Sequence, residues 1–294
     1  MDEREWLTEQ FEEHRSRLRS VAYRMLGSVS EAEDAVQDAW LRLSRADTGD
    51  VANMGAWLTT VVARVCLNTL RSRERRREDP LDVHVPDPII SPESGADPEH
   101  QAVLADSVGL ALLVVLETLS PAERLAFVLH DMFAVPFEEI APMIERSPAA
   151  ARQLASRARR RVQGQAPAPD PDLTRQRDVV NAFFAAARDG DFQALVAVLD
   201  PEVVLRSDGG VTRARQSVVI TGAQSVAGQA LTFSRLSPFA RPVLINGAAG
   251  VVVAVHGRPL SVMAFTVTGG KIASIEVLSD PERLHQLDLT ALDD

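Results

Sequence analysis

Two proline-rich segments constrain the fold most, because they divide the chain into three parts. Residues 80–100 (PLDVHVPDPIISPESGADPEH) hold five prolines, several acids and no helical period, and residues 164–173 (GQAPAPDPDL) are also proline-rich. Proline inside a helix removes a backbone hydrogen bond and clashes with the preceding turn. We therefore predict two linkers, a loose acidic one at 80–100 and a shorter one at 164–173, with separate domains around them.

The three parts differ in their hydrophobic periodicity. Residues 1–79 and 101–163 are helical by pattern, and no internal repeat is present. Residues 174–294 begin with two helical stretches and continue with β-rich runs such as RPVLING and GVVVAVHG, which glycines separate. The sequence therefore predicts a multidomain protein with two all-α domains followed by an α+β domain.

The arginines are clustered, although the chain has a formal net charge of -10. Residues 71–77 hold five arginines and one acid, and residues 146–161 hold six arginines and no acid. Residues 78–106, in contrast, hold eight acids and neither lysine nor arginine. This distribution indicates two localised basic surfaces rather than a general affinity for polyanions.

Composition excludes several other classes of protein. The apolar share is 46%, yet no apolar run is long enough for a membrane span, and the charged N-terminus has no apolar core of an export signal. The single cysteine, Cys66, excludes a disulfide framework and a clustered-thiolate metal site. We expect a cytoplasmic protein that has no membrane segment, metal or cofactor.

The stretch SVSEAEDAVQDAWLRLSR predicts a helix that begins with a capping box of Ser30 and Glu33. Small and apolar side chains gather on one helix face. The opposite face carries four residues: Asp34, Gln37, Asp38 and Leu41. A leucine among acids suits a protein-docking patch, but single exposed leucines are also common on solvated faces. The pattern alone leaves both interpretations open.

The stretch GAWLTTVVARVCLNTLRSRERRRE predicts one long helix with Thr60, Arg64 and Arg71 along one polar edge. Guanidinium groups bind phosphate oxygens in pairs of hydrogen bonds, so this edge suits a nucleic-acid backbone. The helix macrodipole favours one or two basic residues at a helix end, but it does not explain five arginines in seven residues.

Residues 119–162 predict two helices, a turn and a final helix that Ser147 caps and Pro148 begins. The final helix has a narrow face of small apolar residues. Its other face carries residues that can read bases and hold phosphates in a DNA major groove: Arg152, Gln153, Ser156, Arg157 and Arg160. The alternatives are a solvated basic helix, or one that pairs with the acidic linker in cis.

The order of these motifs resembles an extracytoplasmic-function (ECF) sigma factor of RNA polymerase. The resemblance rests on AEDAVQDAWLRL, AWLTTVVARVCLNTLRS and the 119–162 helices, and it covers about 155 residues. With the β-rich part added, the chain is similar to the sigma-J-like (ECF41-type) subgroup. That resemblance implies a sigma-2 bundle at 1–79, a sigma-4 helix-turn-helix at 101–163 and, at 174–294, a SnoaL-like (NTF2-like) α+β cone-shaped barrel.

The resemblance also implies partners for each surface. The residues Asp34, Gln37, Asp38 and Leu41 would face the clamp helices of the polymerase β′ subunit, and the sigma-4 domain would meet the β flap. The −10 promoter element would be bound by Asn53, Thr60, Arg64 and Arg71. The −35 element would be bound by Arg152, Gln153, Ser156, Arg157 and Arg160.

For the C-terminal domain, the resemblance implies regulation of the sigma domains in cis and room for a small ligand. The subgroup's Asp-Gly-Gly-Gly-Lys motif is shortened here to Asp208-Gly209-Gly210. Enzymes of this fold carry an acid or histidine inside the cone, and the candidates are Asp208, His256 and Glu276. They lack a paired spacing, so we expect no catalysis. We expect four phenylalanines to be core residues: Phe184, Phe233, Phe239 and Phe265.

Three functions remain open on the sequence alone. The first is a sigma factor tuned by its own C-terminal domain. The second is a DNA-binding regulator that senses a ligand and never joins polymerase, which would leave the acidic helix face unexplained. The third is a small-molecule enzyme with a regulatory arm, which would need an interior acid.

Overall fold

The computed structural model describes residues 3–46, 51, 53–76, 83–92, 109–210, 213 and 217–290. The chain forms two compact units, of which the first comprises 1–78 and 115–165, and the second 79–114 and 166–294. Among the described residues, none of the helices has the length and apolar composition of a membrane-spanning helix.

The first helical group is a bundle of three helices, with an apolar interior that includes Leu18, Leu43 and Leu58. Its elements are α1 (Glu3–Leu26), α2 (Val29–Leu43) and α3 (Met54–Arg76).

The beginning of α2 differs from the prediction. Ser28 is the N-cap and its hydroxyl accepts from the amide of Glu31, so the cap lies two residues before the predicted one at Ser30. Glu33 forms an ion pair with Arg19 at 2.7 Å instead. Both Ser-x-x-Glu stretches fit a cap locally, and the earlier one is used because Gly27, at φ 73°, makes the turn directly before it.

The second helical group contains the predicted helix-turn-helix. A capping box of Ser120 and Glu123 opens its second helix, and Pro142 lies in a 3-10 turn that ends the short helix before it, as expected for proline. The last helix buries Ala151, Ala155 and Ala158. The elements are α4 (Leu110–Glu117), α5 (Pro121–Phe127), a π-helical turn (Val128–Met132), α6 (Phe137–Ile140), a 3-10 turn (Ala141–Met143) and α7 (Pro148–Gln165).

The second unit is built on a seven-stranded mixed sheet in the order β1-β4-β5-β6-β7-β2-β3. The strands are β1 (Ile90–Ser91), β2 (Leu199–Asp208), β3 (Val218–Thr221), β4 (Ala240–Ile245), β5 (Ala248–Val255), β6 (Arg258–Thr268) and β7 (Lys271–Leu278). The helical elements are α8 (Leu173–Asp189), α9 (Phe192–Val198), α10 (Ala223–Thr232), a 3-10 turn (Ser234–Phe239) and α11 (Pro281–Leu284).

One face of this sheet packs on the helices, and Phe183, Leu195 and Phe265 lie in the shared core. Strands β2 and β7 run parallel, whereas the other pairs are antiparallel. Within the described residues the sheet ends at β1 and β3, so the expected cone is an open sheet with helices on its inner face.

The expectation of a loose first linker is wrong for residues 83–92, which we call the linker segment. Ile90 and Ser91 pair with Ile245 and Leu244 of β4, and the Asn246 amide donates to the carbonyl of Ile89 at 2.8 Å. Prolines do not prevent this arrangement, because an edge strand needs donors on only one side. Ile90 and Ser91 of the linker segment therefore form an edge strand of the C-terminal sheet.

Candidate polymerase, DNA and regulatory interfaces

The α7 face is the exposed side of α7, and the structure brings its five predicted residues together. All five are exposed, while the buried alanines lie on the opposite side of the helix. The guanidinium of Arg152 lies 5.2 Å from the ring centroid of Phe137, which positions it at the beginning of the helix. The members of the α7 face are Arg152, Gln153, Ser156, Arg157 and Arg160.

Two other arginines of α7 have structural partners. Arg159 donates from Nε to the carboxylate of Asp131 at 2.8 Å, and Arg161 donates to the carbonyl of Thr118 at 3.2 Å. Both hold α7 on the helices before it. The basic run alone gives no means of separating these two from their neighbours, because their partners are 28 and 43 residues away.

The α2 face consists of Asp34, Gln37, Asp38 and Leu41, and it lies opposite the buried side of α2. Leu41 is 42% exposed, which is unusual for a large apolar side chain in this protein. Asp38 accepts a hydrogen bond from Arg42 at 3.2 Å, at the edge of the face. The predicted set is therefore one continuous surface that combines negative charge with an apolar side chain.

The four residues assigned to the −10 element lie at the beginning of α3 and along it, and two of them, Asn53 and Thr60, have local hydrogen-bond partners. Asn53 caps α3, since its side-chain oxygen accepts from the amide of Ala56 at 3.0 Å, and Thr60 donates to the carbonyl of Ala56 at 3.0 Å. Asn53 and Thr60 line a cavity of about 340 Å³ that Arg64 and Arg71 do not line.

The opposite wall of that cavity belongs to the second helical group and includes Phe133, Pro136 and Glu139. Arg17 of α1 donates to the carbonyl of Phe133 at 3.0 Å, and the guanidinium of Arg24 lies 4.9 Å from the centroid of the same ring. The two helical groups are thus packed together, and the second group covers part of the predicted −10 surface.

A buried arginine joins the same two groups. Arg124 of α5 is 3% exposed and donates from Nε to the carbonyl of Arg24 at 3.1 Å. Burial lowers the pKa of Arg124 to about 10, so the group stays charged at neutral pH. Burial also raises the pKa of the Cys66 thiol to about 12, as expected for a thiol that is packed in a protein interior.

In the second unit, the predicted motif Asp208-Gly209-Gly210 is buried beside the linker segment. Asp208 accepts from the Val85 amide at 3.0 Å, from Arg283 at 2.8 Å and from the Gly210 amide at 2.9 Å. Gly210 has φ 63°, and a Cβ there would overlap the carboxylate of Asp280, so the position requires glycine.

Arg283 connects the linker segment to Asp208 of β2. It donates to the carboxylate of Asp87 at 3.0 Å and to the carbonyl of Val85 at 2.6 Å. Burial alone would raise the pKa of Asp208, but hydrogen bonds from His84, Val85 and Gly210, together with Arg283, lower it to about 2. We call Asp87, Asp208 and Arg283 the linker clamp. Sequence reasoning missed Asp87 and Arg283, which are 196 residues apart.

A cavity of about 490 Å³, which we call the C-terminal cavity, lies between the helices and the inner face of the sheet. Side chains alternate along a strand, so Leu205 and Ser207 line the cavity while Asp208 points to the outer face. Val277 lines it in the same way, while the adjacent Glu276 points outward. His256 lies in an exposed turn. None of the three catalytic candidates lines the cavity.

Glu276 is fully buried on the outer face of the sheet. Burial raises its pKa to about 7, although Arg206 at 3.5 Å and a hydrogen bond from Ser274 at 3.2 Å oppose the change. The predicted phenylalanine core is confirmed for Phe184 and Phe265, which are buried in the hydrophobic core, and Phe184 also lines the C-terminal cavity. The prediction is wrong for Phe233 and Phe239, which are 49% and 40% exposed.

Residues 10–76 match Sigma-70 region 2, and residues 109–162 match Sigma-70, region 4. Over 289 residues the chain is 39% identical to the ECF RNA polymerase sigma factor SigJ of Mycobacterium tuberculosis, an alignment that covers 93% of this chain and 92% of SigJ. The chain belongs to the ECF RNA polymerase sigma factors.

Two further comparisons extend over nearly the whole ECF sigma factor. It is 38% identical to the probable ECF sigma factor SigI of Mycobacterium tuberculosis over 277 residues, or 93% of each chain. The crystal structure of Mycobacterium tuberculosis SigJ superposes with a TM-score of 0.78 at 35% identity, covering 96% of this chain and 99% of that one. The fold, including the C-terminal sheet domain, is therefore that of a SigJ-like ECF sigma factor.

The family models agree with the elements of this sigma factor. The region 2 match ends at residue 76, where α3 ends, and the region 4 match begins at residue 109, directly before α4. Region 2 thus contains the α2 face and the polar edge of α3, and region 4 contains the α7 face. The predicted sigma factor identity is confirmed.

Proposed function

We propose that this ECF sigma factor binds core RNA polymerase through region 2 and directs initiation at promoters that regions 2 and 4 recognise. The observation that carries the proposal is the presence, in one chain that matches both regions, of the α2 face and the α7 face. A regulator that binds DNA without polymerase would use the α7 face and leave the α2 face without a role.

The α2 face would bind the clamp helices of the β′ subunit. An exposed leucine beside Asp34 and Asp38 suits a partner surface that offers an apolar pocket with basic residues around it. In such interfaces the apolar anchor supplies most of the affinity, and the charges fix orientation and association rate. Region 4 would contact the β flap, by the resemblance to the family.

The α7 face would read the −35 element in the major groove. Arginine can pair with guanine and glutamine with adenine through two hydrogen bonds each, while the remaining side chains hold phosphates. The support for this role is the exposure of all five residues of the α7 face and the absence of acids along α7. Arg159 and Arg161 already have protein partners and would contribute less.

Engagement of the −10 element would require regions 2 and 4 to separate. Arg64 is exposed on α3, but Asn53 and Thr60 line a cavity whose other wall is region 4. The contacts of Arg17, Arg24 and Arg124 with region 4 would therefore break when the promoter binds. In this proposal the packed arrangement is the resting state of the sigma factor.

The C-terminal domain would regulate this separation in cis. The linker segment lies in sequence between regions 2 and 4, and the linker clamp fastens it to the C-terminal sheet through Asp208. Because the linker segment connects regions 2 and 4, holding it on the C-terminal sheet limits how far these two regions can separate. The C-terminal cavity would accept a small ligand rather than a substrate, since none of the three catalytic candidates lines it.

A charge reversal of the α2 face tests the proposal. Asp34→Arg combined with Asp38→Arg should abolish promoter-dependent transcription with core polymerase and leave binding to promoter duplex unchanged. The matched control is Glu9→Arg combined with Glu13→Arg, an exposed pair on α1 with the same spacing, which should retain transcription. Transcription that survives the first double substitution would contradict the proposed use of the α2 face.

A further inference from the structure

The C-terminal cavity has the size and lining of a small-molecule site. Its volume of about 490 Å³ lies within the range of roughly 300–1,000 Å³ that is usual for such sites. Apolar side chains from the helices and the sheet form most of its wall, among them Phe183, Phe184, Leu205, Phe233 and Met263. Aromatic rings on one side and aliphatic side chains on the other suit an apolar ligand body.

The described polar residues that line the cavity are neutral except for one arginine. Five neutral polar residues contribute to the lining: Ser207, Gln229, Ser237, Ser261 and Ser279. Arg213 is the one charged residue among the described lining residues, and no acid stands with it. Because a guanidinium attracts an anion and repels a cation, a ligand that carries one negative charge is favoured over a cation.

The backbone holds Arg213 at this position. Its amide donates to the carbonyl of Gly209 at 3.2 Å, and its Nη1 donates to the carbonyl of Ser279 at 3.1 Å. The other guanidinium nitrogens have no partner among the described residues. A guanidinium fork of this kind matches the two oxygens of a carboxylate.

We propose that the C-terminal cavity binds an apolar monocarboxylate, with its carboxylate on Arg213 and its hydrocarbon body against the phenylalanines. Both an alkyl acid and an aryl acid have this chemistry, and the cavity is large enough for a medium-length chain or a fused ring. A multiply charged phosphate is disfavoured, because a single arginine would leave further negative charge buried without a partner.

The ligand site is connected to the linker clamp by a short series of hydrogen bonds. Ser279, whose carbonyl accepts from Arg213, donates its own amide to the carbonyl of Asp208 at 2.7 Å and its hydroxyl to the same oxygen at 3.1 Å. The Asp208 carboxylate holds Val85 on the outer face. The regulatory consequence, that the ligand alters how firmly the linker segment is held, rests on the proposed function; binding itself does not.

Calorimetric titration of the full chain tests the binding with four probes: decanoate, 1-naphthoate, decanol and decylamine. We expect one decanoate or 1-naphthoate to bind per chain, decanol to bind at least tenfold more weakly and decylamine not to bind. The two acids separate the alkyl and aryl sources of the carboxylate. No binding of either acid, or decanol binding as tightly as the better acid, would overturn the proposal.

Substitutions locate the site. Arg213→Met should weaken binding of the better acid at least tenfold without changing decanol binding, and Arg213→Lys, which keeps the charge but not the fork, should be intermediate. Ala230→Trp should fill the cavity and remove binding of both the better acid and decanol. The control is Arg258→Met, an exposed arginine outside the cavity lining, which should bind like the parent. Unchanged acid binding in either Arg213→Met or Ala230→Trp would place the ligand elsewhere.

The titration contains neither polymerase nor DNA, so its outcome is independent of sigma activity. Loss of competition for core polymerase would refute the proposed function and leave the ligand site standing. Conversely, a chain that joins polymerase but binds neither acid would refute only the ligand site. Amide exchange of Val85 with and without the better acid then tests the connection, and a change of at least threefold is expected in the parent but not in Arg213→Met.

Discussion

Removing Arg283 should release the linker segment from the C-terminal domain. The guanidinium donates to Asp87, to Asp208 and to the carbonyl of Val85, and Asp208 is 3% exposed. Arg283→Met keeps the apolar stem but leaves the Asp208 carboxylate buried without its cation. Breaking a buried pair in this way costs about 3 kcal/mol, at the lower end of the usual range because Asp87 remains partly exposed.

Amide hydrogen exchange measured by mass spectrometry reports this loss locally. Val85 donates its amide to Asp208, so its exchange follows the release of the segment. A loss of about 3 kcal/mol corresponds to roughly 100-fold faster exchange. The control is Arg258→Met, in the same domain and exposed, which should leave Val85 unchanged.

A second substitution gives the sign test. Adding Asp208→Asn to Arg283→Met removes the uncompensated charge, so the amide of Val85 should exchange more slowly in the double variant than in Arg283→Met alone.

The stability of the C-terminal domain should also fall at low pH, because Asp208 is stabilised in its charged form. The pKa of Asp208 is about 2 against an ordinary 3.8, which stabilises the folded domain by about 2 kcal/mol above pH 4, and this is lost as pH falls through 2. Exchange in Arg283→Met within twofold of the parent would refute the role of the clamp.

Two further predictions concern the sheet and the α7 face. Burial raises the pKa of Glu276 to about 7, above its value of 4.5 in the unfolded chain, so the C-terminal domain should lose stability as pH rises from 5 to 8. In thermal unfolding, Glu276→Gln should show a weaker pH dependence than the parent. The same pH dependence in the parent and in Glu276→Gln would contradict this prediction. Arg160→Ala should reduce the slope of log affinity for promoter duplex against log salt by about 1, whereas Arg159→Ala should act mainly on thermal stability, because Arg159 pairs with Asp131. Equal effects of the two substitutions on the slope would refute this division.

The faces of α2 and α7 were predictable because helical periodicity determines which residues share a side. Asp34 and Leu41, or Arg152 and Arg160, come together whatever the rest of the chain does. The cap of α2 was not predictable in the same way. Residues 28–31 and 30–33 both have the Ser-x-x-Glu pattern, and the turn at Gly27 decides between them.

Long-range pairs account for what the sequence did not predict. The linker segment has the prolines and acids of a loose linker, yet β4 pairs with Ile90, and Arg283 pairs with Asp87 from 196 residues away. In the C-terminal domain, the sequence also did not show which face of the sheet each strand residue occupies. Asp208 and Glu276 were candidates for an interior acid, but a strand directs alternate side chains to opposite faces, and both lie on the outer one.

The central claim is that the chain joins core RNA polymerase as a sigma factor, and competition with a housekeeping sigma factor for core enzyme tests it most directly. Full-length protein should displace a fluorescently labelled housekeeping sigma factor from core polymerase in a concentration-dependent manner. The Asp34→Arg and Asp38→Arg double variant should fail to do so, while the Glu9→Arg and Glu13→Arg control displaces it like the parent. If the full-length chain displaces nothing and still binds promoter duplex, it acts as a DNA-binding protein without polymerase, and the account is wrong.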